Sequence, residues 1–125
     1  MLLDTCAVIW LAQGGGELSR KALKAIDAAP AVFVCAISAF EVAHKYAAGG
    51  LDLPCDPGLW FKRVLEVHGL SEIPLTSDTA IAATRLPQHH RDPCDRFIIA
   101  LAQMRRLPVV THDRRFSLYG VEVIG

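Results

Sequence analysis

The 125-residue sequence has no net charge, because 13 lysines and arginines balance 13 acids. No global basic field draws in nucleic acid, so any affinity for a polyanion has to be local. It has no apolar run near the roughly 18 residues of a membrane span. It begins without a basic n-region or signal-like segment, since Asp4 and Gln13 bracket too short an apolar stretch, and a cytoplasmic chain is expected. The four cysteines (Cys6, Cys35, Cys55 and Cys94) include no C-x-x-C, which excludes zinc-ligand spacings and predicts reduced thiols, mostly buried small hydrophobes. The triple glycine Gly14-Gly15-Gly16 lacks the G-x-x-x-x-G-K-[ST] pattern of a phosphate loop. Repeats, linkers and low-complexity tracts are absent.

What remains is an apolar chain with regular punctuation. Hydrophobic residues make up 52% and mean hydropathy is +0.31. These values exclude disorder, fit a single domain over residues 1–125, and leave room for a buried partner surface. Arginines outnumber lysines nine to four, and Arg91, Arg96, Arg114 and Arg115 sit beside acids, where a guanidinium is the better phosphate fork.

Leu2-Leu3-Asp4-Thr5 reads as a very short strand ending in a polar pair, and Ala7 to Ala12 as a helix broken by the glycines. Ser19 caps a second helix, with Ala22, Leu23 and Ile26 on one face and Pro30 soon after its end. Val32 to Cys35 is a compact strand. Ser38 begins a helix through Tyr46 that Gly49-Gly50 ends. Asp56-Pro57 and Asp92-Pro93 both open helices, Asp as N-cap and Pro at the first helical position. The first runs through Trp60, Val64 and Leu65 to Gly69. The second runs to about Arg106 and is deeply buried, given Phe97 to Leu101. Ser71 to Leu75 is a strand, and Ser77 or Asp78 caps a helix over Thr79 to Leu86. Leu107 to Thr111 and Val121 to Ile124 complete the strands. Strands alternating with helices predict an α/β fold with a mainly parallel sheet covered on both faces.

In such a sheet, strand C-termini and the following helix N-termini share one edge, where ligands bind. Asp4 follows the first strand, Glu41 is expected in the first turn of the helix after the second, Asp95 lies in the first turn of the buried helix, and Asp113 follows the fourth strand. Each has a local reading. Ser38-x-x-Glu41 fits a capping box, Asp92 an N-cap, Asp95 a helix-dipole partner, and Asp113 a turn start. Asp4, at the end of a buried strand, needs a partner. Four carboxylates at one edge repel each other and call for a cation, and hard oxygen ligands suit Mg²⁺ or Mn²⁺. Ions held this way activate water and clamp a phosphodiester for in-line attack.

Taken together, Leu2-Leu3-Asp4-Thr5, the Ser38-Ala39-Phe40-Glu41 helix, His90-Arg91-Asp92-Pro93-Cys94-Asp95-Arg96 and Thr111-His112-Asp113 resemble a PIN-domain protein, more narrowly the VapC toxins of bacterial toxin–antitoxin pairs. The resemblance covers nearly the whole chain in order. It implies a three-layer α/β/α sandwich, an Mg²⁺- or Mn²⁺-dependent endoribonuclease acting on RNA, a cognate antitoxin that blocks the site, and a toxin homodimer. Asp4, Glu41, Asp95 and Asp113 match the family's acidic quartet, and Asp92 matches a further acid of this subgroup that either assists or only caps. The resemblance gives Thr5 and Thr111 the task of orienting carboxylates, and leaves Arg96 and Arg91 either contacting the scissile phosphate or pairing with the acids. Cys6 and His112 depart from residues common in relatives without removing a ligand.

Two other readings stand beside this one. A PIN fold that only docks a partner would be signalled by loss of a quartet acid, and all four are present. An aspartyl phosphatase would want D-x-D-x-T where Asp4-Thr5-Cys6 stands, and a receiver domain a late Lys at a strand end where Thr111-His112-Asp113 stands. His89, His90 and His112 are expected on the surface or at RNA. Trp10, Leu11, Trp60 and Phe61 are expected mostly in the core, with some on an antitoxin or dimer surface.

Overall fold

The computed structural model describes all of residues 1–125. Its elements, in order, are β1 (Leu2–Leu3), α1 (Thr5–Ala12), α2 (Arg20–Ala28), β2 (Val32–Cys35), α3 (Ala36–Ala47), α4 (Pro57–His68), β3 (Leu70–Ile73), α5 (Ser77–Thr84), α6 (Pro93–Arg105), β4 (Val109–Val110), a 3₁₀ helix (Arg114–Tyr119) and β5 (Val123–Ile124). The five strands form one sheet in the order β3-β2-β1-β4-β5, and every neighbouring pair is parallel.

Side-chain alternation along strands of two to four residues divides the core. Leu3 pairs with Val34 and Val110, and all three face one layer with Val8, Ala22, Val42, Phe61 and Val64. Leu2 pairs with Val109, and both face the opposite layer with Ile98, Ile99, Leu101 and Phe116. Such short strands suffice because both faces are covered, and in the central strands β1 and β4 every residue is buried. Helix α6 is the most deeply buried, with five consecutive apolar residues (Ile98 to Ala102) at 3% exposure or less. Truncating Ile98 to Ala would cost about 2–5 kcal/mol.

The local signals mostly act as the residue types suggest. Ser19, Asp56 and Asp92 accept backbone N–H bonds as N-caps, and Gly69 takes the left-handed C-cap of α4. The cap of α5 is Thr76, one residue before the expected Ser77. The larger correction is at α3. The chain passes from β2 into this helix without a loop, so Cys35 is the cap residue and makes no side-chain cap bond. Ser38 is therefore already inside the helix, and Glu41 lies in its second turn. The capping box does not form.

After β3 the chain crosses back to pair β4 with the other side of β1. The C-terminal ends of β1 and β4 thus lie side by side at the point where the strand order reverses, which is where an open parallel sheet leaves a crevice.

Candidate active site

Asp4 ends β1 and caps α1, its Oδ1 accepting the Ala7 N–H at 2.8 Å. It is only 6% exposed. Burial raises its carboxyl pKa, opposed by bonds from Thr111 and Ala7. Glu41 reaches the same crevice from α3, where the Thr5 hydroxyl donates to its Oε1 at 2.5 Å. Thr5 has a single proton, so in its 2.9 Å contact with Ser38 the Ser38 hydroxyl is the donor. A relay from Ser38 through Thr5 to Glu41 therefore fixes that carboxylate, although burial still raises its pKa.

Asp95, in the first turn of α6, accepts no hydrogen bond from the protein. Burial, and after it the charges of Asp92, Glu41, Asp4 and Asp113, push its carboxyl up to about 7. Asp113 caps the 3₁₀ helix and is the reverse case. The Arg115 guanidinium grips both its oxygens at 2.9 and 2.7 Å, and with the Arg115 backbone N–H and His90 holds the carboxyl down at about 2. Thr111 Oγ1 accepts the Asp113 N–H at 3.0 Å, and from the end of β4 the same side chain favours the ionised form of Asp4 at the end of β1.

These four carboxylates line one cleft of about 250 Å³, together with Asp92, Lys45 and Thr5. A larger hollow of about 420 Å³ lies at the opposite end of α6, around Arg106 and Tyr119, with no converging acids. The chemistry therefore belongs to the smaller cleft. Its donor set fits a divalent cation: hard carboxylate oxygens from four segments, three of them with raised pKa because negative charge is crowded out of water.

A model of the PIN domain matches residues 1–122. The chain belongs to the PIN-domain family. It is 33% identical over 116 residues to Ribonuclease VapC22 of Mycobacterium tuberculosis, covering 92% of this chain and 88% of that protein. Among solved structures it resembles a toxin–antitoxin complex from Klebsiella pneumoniae (TM-score 0.66, 23% identity, 99% of this chain and 95% of that one). It also resembles FitAcB from Neisseria gonorrhoeae (TM-score 0.68, 20% identity, 99% and 96%). A third is VapBC2 from Rickettsia felis bound to a promoter DNA fragment (TM-score 0.70, 11% identity, 98% and 96%). At these identities the structural likeness speaks for the fold.

The PIN-domain site corrects two sequence readings, for Arg96 and His90, and narrows a third, for Arg91. Arg96 neither pairs with an acid nor faces the cleft. It is 8% exposed, and its guanidinium donates to the carbonyls of Ala83, Leu86, Pro87 and His90 at 2.8–3.0 Å. It closes the C-terminal end of α5 and holds the following loop. Arg91 is exposed and borders a separate hollow with Gln88 and Phe97, so it pairs with none of the acids either. His90 is not at the surface but 2% exposed. Its Nδ1 accepts the Asp92 N–H at 3.2 Å, so the ring proton sits on Nε2, which donates to Asp113 at 2.8 Å and lies 3.1 Å from Asp95. Asp92 caps α6 through Cys94 N while also lining the cleft.

Of the apolar residues weighed earlier, Leu11, Trp60 and Phe61 are buried and Trp10 is only partly so. All four cysteines are free, Cys35 buried and the others half-buried. Lys45 in the cleft was missed, although it stands four residues after Glu41, the spacing of one helix face. The Arg115 fork had a sequence hint in its closeness to Asp113. The Ser38 relay had none.

Proposed function

We propose that this PIN domain is a divalent-metal-dependent endoribonuclease and the toxin of a toxin–antitoxin pair. The observation that carries the reading is the convergence of Asp4, Glu41, Asp95 and Asp113 on one cleft, with Asp95 left without a donor. The named activity of the Mycobacterium tuberculosis relative and the toxin–antitoxin complexes among the structural relatives support it. PIN nucleases use a divalent metal, and here Asp4, Asp95 and Asp113 would hold Mg²⁺ or Mn²⁺, with Asp92 as a further outer ligand. The bound ion supplies an activated water and stabilises charge on the leaving 3′ oxygen. Glu41, held by Thr5, orients the attacking water and takes up its proton, a task suited to a carboxyl whose pKa is raised. Thr111 holds the backbone of Asp113 beside Asp4. Attack in line on phosphorus leaves 5′-phosphate and 3′-hydroxyl ends.

The partners follow the same reading: RNA as substrate, a cognate antitoxin that covers the cleft, and a second copy of the chain in a homodimer. Incubating the purified chain with RNA and Mg²⁺ should give cleavage that EDTA stops. Asp4→Asn should abolish it while leaving the circular dichroism spectrum unchanged. Undiminished cleavage by Asp4→Asn would overturn the assignment. A strictly monomeric mass at high concentration would overturn the homodimer.

A further inference from the structure

The lining of the cleft carries two aromatic rings that the acid chemistry leaves unused. Trp10, on α1, and His112, just before Asp113, border the cleft alongside Asp4 and Asp95. Their ring centroids are 4.7 Å apart with the planes tilted by 42°, a close aromatic contact. The inner side of Trp10 packs on the core, but the residue is only partly buried, while Trp60 and Phe61 on α4 are buried. His112 is exposed.

The glycine turn has its place here. Gly15 N–H donates to the Trp10 carbonyl at 2.9 Å, and Gly16 sits at φ +49° with its Cα face on the ring. A Cβ at residue 16 would stand 2.9 Å from Trp10 Cβ and Cδ1, so any side chain there would push the indole away. The turn braces Trp10 from behind and leaves His112 as the ring that meets solvent.

We propose that Trp10 and His112 form a stacking shelf for one nucleobase of a single-stranded RNA, next to the phosphate placed at Asp4, Asp95 and Asp113. This rests on the endoribonuclease reading and specifies how that site takes its substrate. The chain has zero net charge and its cleft is lined by acids, so phosphate attraction from the protein is weak. Affinity for a single strand then has to come from elsewhere, and base–aromatic stacking supplies it without regard to net charge. The shelf adjoins the acids, so a nucleotide whose phosphate reaches them brings its base to the rings.

The test uses single-stranded RNA oligonucleotides at saturating Mg²⁺, including a series with one abasic ribose at each position around the cut. His112→Ala, an exposed change, should raise KM about tenfold with kcat within about twofold, and His112→Phe should restore KM. One abasic position should cost the parent protein a similar factor and cost His112→Ala nothing more. Separately, in an Asp4→Asn background, RNA should quench tryptophan emission, and the quench should vanish in Trp10→Leu, where only buried Trp60 remains. Unchanged KM and quenching in these variants overturn the shelf, even if binding of a protein partner weakens. So do abasic and His112→Ala penalties that simply add. Failure of the underlying reading looks different: metal-dependent cleavage would survive Asp4→Asn.

Discussion

Asp95 and Asp113 are the same residue type in one cleft, both within 3.1 Å of His90 Nε2, yet they are driven in opposite directions. Asp113 receives four hydrogen bonds, three from Arg115 and one from His90, and its carboxyl is held at about 2. Asp95 receives none, is half-buried among Asp92, Glu41, Asp4 and Asp113, and is pushed up to about 7. The wall at β4 is thus neutralised by the protein itself. The wall at α6 holds charge that nothing in the chain satisfies, and a carboxylate kept in that condition at real cost is a mark of a site rather than of a scaffold.

The largest way to break the contrast is Asp95→Asn. Cleavage should fall by at least an order of 10² as a ligand is lost. Stability should rise by roughly 1–2 kcal/mol at pH 8, after allowing for solvent screening, or about 4–8 °C in Tm. The sign follows from linkage. The folded carboxyl of Asp95 lies above its unfolded value, so its contribution is best below the ordinary carboxylate range and is lost as pH rises through about 7. Asp113 works the other way: its stabilisation is present above the ordinary range and is lost as pH falls toward 2. Thermal melts of the parent and Asp95→Asn should differ more at pH 8 than at pH 5. Equal melts at both would mean that Asp95 is not strained.

Next in size is the support beneath both acids. Arg96 holds the His90 carbonyl along with three others, and His90 stands between Asp95 and Asp113. A lysine cannot serve four carbonyls spread around a planar fork. Arg96→Lys should therefore cost about 2–4 kcal/mol in urea unfolding. A loss under about 1 kcal/mol would show that the loop holds His90 without it.

This support also marks the limit of what the sequence discloses. Asp4, Asp95 and Asp113 are legible because strand ends and helix starts share an edge in any parallel sheet, and their residue types declare the chemistry. Glu41 is legible as an acid but not in its setting, since a strand that runs into a helix without a loop moves the cap back to Cys35 and turns Ser38 inward. Arg96 and His90 are illegible for a different reason. Arg96 serves only backbone carbonyls, and a carbonyl carries no residue signature; His90 meets Asp113 across a separation that only the fold closes. An arginine beside two aspartates looks like an ion pair until the fold shows which way it points.

The third test asks whether the strained wall takes up the ion. Binding there must displace the Asp95 proton, so Mn²⁺ affinity should fall about tenfold per pH unit below pH 7 and level off above it. Calorimetry at pH 6 in buffers of different ionisation enthalpy should report close to one proton released per ion. No proton release would place the ion away from Asp95.

The smallest effect tests the neutralised wall. Arg115 is exposed, so its fork on Asp113 is screened by water and should open readily. Arg115→Gln removes a positive charge beside the cation site and one bond from each Asp113 oxygen, and Mn²⁺ should then bind about two- to fivefold more tightly at pH 7. The Asp113 carboxyl should return toward its ordinary range, so the variant should lose less stability than the parent as pH falls from 4 to 2. If instead the affinity for Mn²⁺ drops, Arg115 is needed to aim Asp113 at the ion, and the two walls are not independent: the fork on one would be part of what makes the other usable.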